Sequence, residues 1–494
     1  MKTQRQPIVV VFLTAIMIML TAFSCRDWLS VTPNSQIRAD EQFESESGFK
    51  NALTGVYVGM TSTDSYAKDL SWNMVDILSR QYAPFTSGAD YYDLQEYEYG
   101  TTFAAGRIDA VWQKSYNTIA DINNILEYLE ENREVLDDYD HDIIKGELLG
   151  LRAFLHFDLL RLFGYGNLEE RAGLMSEAAV PYVTDYSKEI PPRRSYEETF
   201  RLLNEDLEEG LELLQSDPIY EDPDRSDEYE NTIGEEDFYD NRKVRMNYYA
   251  LRALQARALL WQGGMEHMNS ARRAAEEVIS DGPAELIDGQ TYDVGSDPIL
   301  SPEVLFSLDV NGFEDIVNPL LTATDVTDYD ALYLSTETTN ELYETDNVNV
   351  GPPDIRYNSL LDDQSLGYVS VKLLQSDNTA IPSRNILPLI KMPEMYYIAA
   401  EYYLNNGELQ PAINYLNRVR TSRGIIEEIP DDADAETVEE ELYKEYRKEY
   451  VSEGQLFFFY KRWGVPSIPG LSESVNADDD IYVLPYPDSE SIFR

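Results

Sequence analysis

Few residues in this chain are arranged to do chemistry. Its three histidines, His141, His156 and His267, lie far apart on helix-like segments and form no ligand spacing such as His-Glu-x-x-His. No Gly-x-Ser-x-Gly elbow, P-loop or glycine-rich dinucleotide turn occurs. Carboxylates are so frequent that a pair suited to glycoside hydrolysis carries no information. Asp222, Asp224 and Asp227 crowd together as calcium ligands do, but the glycine and distal glutamate of an EF-hand loop are missing. They read as a solvated acidic loop, so no cofactor is expected and calcium has no ligand pattern behind it. What remains is rings. Flat side chains stack on sugar faces and pack on peptides at low entropic cost. The stretch Tyr82 to Gly100 is irregular and holds Tyr82, Phe85, Tyr91, Tyr92, Tyr97 and Tyr99. Trp72, Tyr82, Phe85, Tyr91, Tyr92 and Tyr333 are the candidate ligand contacts. The competing reading is that the same rings are core.

The only cysteine is Cys25. Lys2 and Arg5 precede an apolar run from Ile8 to Phe23, and Ser24 and Cys25 follow, the order of a secretory signal. The run is short for a spanning helix. Cys25 sits where cleavage is expected and resembles the lipobox cysteine of bacterial lipoproteins, except that Ala22 stands where leucine is usual. Acyl chains there would anchor the protein without a spanning helix.

The charge balance is 39 basic against 91 acidic residues, a net −52. It argues against nucleic acid and against a basic patch docking on anionic lipid. Because the acid is spread along the whole chain, it reads as a solvated surface of the salt-adapted kind and not as a cation site. Aromatics reach 12%, which marks a folded chain.

The elements that must position the rings are helical. Ile143 to Phe163 has two apolar faces, one through Ile144, Leu148, Leu155, Leu159 and Leu162, the other through Leu149, Ala153, Phe157 and Leu160. Narrow polar stripes with Arg152 and His156, and with Asp158 and Arg161, separate them. Two apolar faces require two neighbours, as in the middle of a helical array. Gly164 supplies a stop. Ile108 to Leu129 is a second clear helix, and Ser195-Tyr-Glu-Glu198 is a capping-box pattern opening a helix to about Leu214. Asn247 to Trp261 and Ser270 to Ile279 flank Gly263-Gly264. Met392 to Leu404 and Gln410 to Arg423 flank Gly407 in the same way. Such hairpins stack into tetratricopeptide-like arrays. Asp281 to Arg384 has scattered Gly and Pro and short alternating pieces at Val304–Val310 and Tyr368–Leu374. Thr437 to Trp463 returns to helix. The expected organisation is a signal peptide over 1–24, a lipid-anchored tether over 25–45, a helical-repeat region over 46–280, a loop and short-strand region over 281–385, and a C-terminal helical region over 386–494.

Several pieces together resemble the SusD/RagB family of outer-membrane lipoproteins. They are Cys25-Arg-Asp-Trp-Leu, Trp112-Gln-Lys-Ser-Tyr-Asn, Leu151-Arg-Ala-Phe-Leu-His-Phe, Met392-Pro-Glu-Met-Tyr-Tyr-Ile-Ala-Ala-Glu, Leu416-Asn-Arg-Val-Arg, Arg447-Lys-Glu-Tyr, Arg462-Trp-Gly and Leu484-Pro-Tyr-Pro. The resemblance implies a mainly α fold, a tetratricopeptide-like hairpin array with a loop-rich ligand face. It implies an outward-facing, lipid-anchored outer-membrane protein, non-catalytic, that captures oligosaccharides or peptides and delivers them to a TonB-dependent barrel. The missing proline after Phe163-Gly and the stretch Gln455-Leu-Phe-Phe-Phe-Tyr depart from the family pattern, so a starch-type substrate is not implied. A surface glycosidase and a ligand-free assembly scaffold are the competing functions.

Overall fold

The computed structural model describes residues 39–221, 238–239, 242–325, 327–376, 381–471, 475–488 and 490. The expected signal segment, Cys25 and Asp222, Asp224 and Asp227 lie outside the described residues. The longer helices are α1 (Glu46–Met60), α2 (Thr102–Glu131), α3 (Asp138–Phe163), α4 (Tyr196–Leu213), α5 (Tyr248–Gln262), α6 (Met265–Asp281), α7 (Met392–Asn405), α8 (Leu409–Ser422), α9 (Ala435–Glu449) and α10 (Leu456–Trp463). Each packs on the next along the chain, α6 on α7 included, although about a hundred residues separate those two. The result is the helical array expected from the repeated hairpins. No helix of the described residues is long and apolar enough to cross a membrane.

Side-chain caps start these helices. Thr101, Asp137, Ser195 and Asn247 each accept a hydrogen bond from the backbone N–H three residues on, and the Ser195 Oγ bond from the Glu198 N–H is 3.2 Å. Both hairpin turns use left-handed glycine, Gly263 and Gly264 at φ +70° and +80° and Gly407 at +76°. In α6, the small buried residues Ala271, Ala274 and Ala275 let its neighbours approach closely.

Helix α3 lies between α2 and α4. Its apolar faces bury Ile144, Leu148, Leu155 and Leu159 toward one side and Phe157 and Leu160 toward the other, each contributing about 1.5–3 kcal/mol. The polar stripes are buried as well. Arg152 donates to Asp206 through Nε (2.7 Å) and Nη2 (2.5 Å) and to Asn123 Oδ1 (2.8 Å). Arg161 pairs with Asp158, donates to Gln455 Oε1 and covers the Phe458 ring at 3.9 Å. Helix α3 is thus surrounded, Arg152 being satisfied from neighbouring elements and Arg161 partly by Asp158 of the same helix. The helix stops at Gly164 in extended backbone, φ −97°, and not in a left-handed cap. Close approach requires the glycine: a Cβ would lie 2.6 Å from the Tyr196 hydroxyl and from the Leu160 carbonyl.

The expected single helix Thr437–Trp463 is two helices. Ser452 (φ +62°) and Gly454 (φ +67°) break it, and a Cβ on Gly454 would strike the backbone of Ser71. Between α6 and α7 the chain makes two antiparallel pairs. Strand β1 (Val304–Asp309) pairs with β4 (Ile386–Lys391) in register Leu308 to Leu387, and β2 (Leu361–Asp363) pairs with β3 (Tyr368–Ser370). Short helices at Phe313–Val317 and Thr336–Leu342 fill the rest. Behind them sits a buried ionic cluster. Arg423 Nη groups donate to Glu303 (2.6 and 2.7 Å) and Glu449 (2.8 Å), and Arg356 donates to Asp354, Glu445 and Glu449.

Candidate functional site

The ring-rich loop divides into rings that hold the loop and rings that the loop displays. Trp72, Tyr82 and Tyr91 belong to the first group and are buried. Trp72 is fully covered, donates Nε1–H to the Ala67 carbonyl at 2.9 Å and meets the edge of Phe313. The Tyr82 hydroxyl donates to Asp76 Oδ2 at 2.7 Å. The Tyr91 hydroxyl donates to Asp69 Oδ1 at 2.8 Å, and Arg107 closes on the other oxygen of the same carboxylate. These three expected contacts are therefore core and lock positions. An irregular backbone leaves buried polar groups to satisfy, and tyrosine hydroxyls reach them. Tyr97 and Tyr99 act alike, donating to the Leu78 carbonyl (2.9 Å) and the Ile481 carbonyl (2.6 Å).

Phe85, Tyr92 and Tyr333 form the second group and are half-buried. Loop 82–99 and the segment ending at Tyr333 are 240 residues apart in sequence yet lie side by side. The Ala83 N–H donates to the Tyr333 carbonyl at 2.7 Å, and the Asp90 N–H donates to Asp330 Oδ1 at 2.7 Å. The buried amide of Gln95 fastens the loop from within, accepting from the Phe85 N–H (2.7 Å) and donating to the Ala83 carbonyl (3.2 Å). On the far side Leu334 exchanges backbone hydrogen bonds with Tyr368. Tyr329, absent from the sequence-derived set, is 53% exposed on the same segment. Its signal was present: two tyrosines four apart in Tyr329-Asp-Ala-Leu-Tyr333, within an acidic stretch. Among the described residues no hydrogen bond engages the hydroxyls of Tyr92, Tyr329 or Tyr333, in contrast to the committed hydroxyls beneath them.

The electrostatics fit a neutral ligand better than a reaction. Burial lowers the pKa of Lys68, whose ammonium sits 4.8 Å over the Tyr91 ring. Burial raises the Asp69 carboxyl, against Arg107. Burial raises Asp76 to about 7, against the bonds from Tyr82, Ser452 and Gly454. Both carboxylates face inward to loop anchors and not outward to a substrate. Among the described residues no group of His, Cys, Asp or Glu is placed to hold a metal ion.

Two family models match the chain. One, described as starch-binding associating with outer membrane, covers residues 27–227, and the SusD family model covers residues 321–488. Among solved structures, a SusD superfamily protein from Bacteroides thetaiotaomicron superposes with a TM-score of 0.71 at 23% identity, over 91% of this chain and 98% of that one. A protein named as sugar-binding from Bacteroides vulgatus gives 0.65 at 21% identity, over 90% and 91%. A SusD-like carbohydrate-binding protein from the same species gives 0.69 at 18%, over 91% and 96%. At these identities the likeness establishes the fold, the mainly α architecture expected above. None of the curated proteins matches.

Proposed function

We infer the function from one premise, that the chain belongs to the SusD/RagB family. It acts as a non-catalytic capture protein for oligosaccharides at the outer membrane. The lipid-anchored, outward-facing placement through Cys25 and the delivery of ligand to a TonB-dependent barrel are parts of the same reading. The observation that carries it is the ring face: Phe85, Tyr92, Tyr329 and Tyr333 are presented by two loops clamped together from behind. Rings stack on the apolar faces of sugars, and hydroxyls without internal partners are free to bond sugar hydroxyls. The sugar-binding names of two structural neighbours support the choice of saccharide over peptide.

The test is a binding panel of neutral polysaccharides, read by affinity electrophoresis and calorimetry. At least one glycan binds the purified protein, Tyr333→Ala weakens it at least tenfold, and no reducing sugar is released on prolonged incubation. Release of reducing sugar that survives repurification would place the protein among glycosidases. Labelled fatty acid enters the wild type and not Cys25→Ser; equal labelling of both would remove the anchor.

A further inference from the structure

A concavity lies on elements the reading above does not use. A cleft of about 460 Å³ opens between the outer face of α2 and the segment 181–194. Its volume is in the range of small-molecule sites. The α2 side presents Trp112, Gln113, Tyr116 and Asn117, residues 112 and 116 and residues 113 and 117 each being one turn apart.

The opposite wall is fixed by buried polar groups. The Pro181 carbonyl accepts the Tyr116 hydroxyl at 2.8 Å, and the Val183 carbonyl accepts Asn123 Nδ2–H at 3.0 Å. The Thr184 carbonyl accepts Arg152 Nη1–H at 3.3 Å. The Val183 N–H donates to His156 Nε2 at 2.9 Å while His156 Nδ1 faces the Arg152 carbonyl, which makes the imidazole neutral with its proton on Nδ1. Burial agrees, holding the His156 pKa at about 3. Tyr182 is stacked on that imidazole at 3.9 Å and donates to Asp206 at 2.6 Å. The polar stripe of α3 is thereby explained as the support of this wall. Past Thr184 the pinning ends, and the exposed run 185–190 carries Tyr186 and Ile190, both more than half exposed.

We propose that this cleft is a second ligand site, taking the end of a short neutral saccharide. The amides of Gln113 and Asn117 are exposed and engaged by no hydrogen bond among the described residues. Each offers both donors and an acceptor, which suits hydroxyls that do both. The half-buried ring of Tyr116 supplies an apolar patch between the two amides, with the buried Trp112 and Tyr182 packed behind it. Asp185 and Glu189 at the mouth, on a chain of net −52, disfavour anions. A wall already ordered by its hydrogen bonds lowers the entropic cost of binding. The ligand class rests on the carbohydrate reading; the place rests on geometry alone.

The test labels the full chain with 5-fluorotryptophan and follows the ¹⁹F signal of Trp112, assigned by Trp112→Phe. Maltotriose, cellotriose, mannobiose, a glucuronic acid disaccharide and a proline-rich peptide are added in turn. A neutral sugar shifts the Trp112 signal saturably in the wild type and in Tyr333→Ala, and Gln113→Ala with Asn117→Ala weakens the response at least tenfold. A silent Trp112 signal, with binding that is lost in Tyr333→Ala, overturns the cleft and leaves the capture reading standing. An unchanged response in the double variant, or a response to the peptide or acid sugar alone, also overturns it. No binding of any sugar overturns both.

Discussion

The ionic cluster around Glu449 and the ring face around Tyr333 invert what residue type suggests. In a chain with more than twice as many acids as bases, arginines that would be expected in water are buried. Arg423 is fully buried between Glu303 and Glu449, and Arg356 is buried among three carboxylates. Several rings that would be expected inside are displayed at the surface. The cluster consists of groups whose partners are all internal, and the face consists of a phenyl ring and tyrosines whose hydroxyls have no partner among the described residues. What separates scaffold from site is therefore whether the valence of the polar atoms is spent, and not whether the side chain is charged or aromatic.

The sharpest way to break the contrast is at the cluster. Arg423→Met leaves Glu303 and Glu449 buried facing each other. Breaking a buried pair by removing one partner costs about 3–5 kcal/mol, and a urea unfolding midpoint would read the loss. Burial alone would raise the Glu449 carboxyl, but Arg423 and Lys391 outweigh it and hold it well below the ordinary range. Glu449 thus stays ionised at ordinary working pH. An equally stable Arg423→Met would mean that water reaches these carboxylates. Arg152→Ala follows at about 3 kcal/mol, because it strips Asp206 of its bidentate partner. A change under about 0.5 kcal/mol would mean that this polar stripe faces solvent after all.

Asp76 lies between the two regions in character, a buried carboxylate with hydrogen bonds but, among the described residues, no ion pair. It accepts from the Tyr82 hydroxyl and from the N–H groups of Ser452 and Gly454. Its folded pKa of about 7 lies above the ordinary 3.8. The folded state therefore binds the proton more tightly, and the contribution of Asp76 to stability falls as pH rises from about 4 to about 7, at about 1.4 kcal/mol per pH unit at most. The stability difference between wild type and Asp76→Asn should shift against the wild type by about 2–3 kcal/mol over that window. A difference independent of pH would show that Asp76 titrates normally.

Helix positions were legible because period alone sets them: α2, α3, α4 and both glycine-broken hairpins lie where apolar spacing puts them. The failures come from partners that no local pattern announces, some of them distant in sequence. The exposure of the Arg152 stripe could not be read from spacing, because Asp206 is 54 residues away. Gly454 looked helical because the Ser71 backbone that forbids a Cβ is hundreds of residues earlier. Trp72, Tyr82 and Tyr91 looked like contacts because the acceptors that bury them are in no pattern. Phe85, Tyr92 and Tyr333 are half-buried, and the cleft at Gln113 and Asn117 had no signal beyond two amides a turn apart.

The smallest stability effect carries the most functional weight. Trp72→Ala empties a fully buried site and should cost about 3–5 kcal/mol. Phe85→Ala and Tyr333→Ala truncate half-buried rings and should cost about 1 kcal/mol or less, read by the same denaturant midpoint. If the ring face is the capture surface, those two variants nevertheless lose at least tenfold in glycan affinity, while a surface change elsewhere such as Val58→Ala loses nothing. The pairing of small stability cost with large binding loss is what distinguishes a displayed ring from a buried one. Tyr333→Phe refines it further. Removing only a hydroxyl that has no internal partner should leave the unfolding midpoint unchanged. A drop in affinity for that variant would assign the hydroxyl to the ligand; retained affinity would assign binding there to the ring face alone.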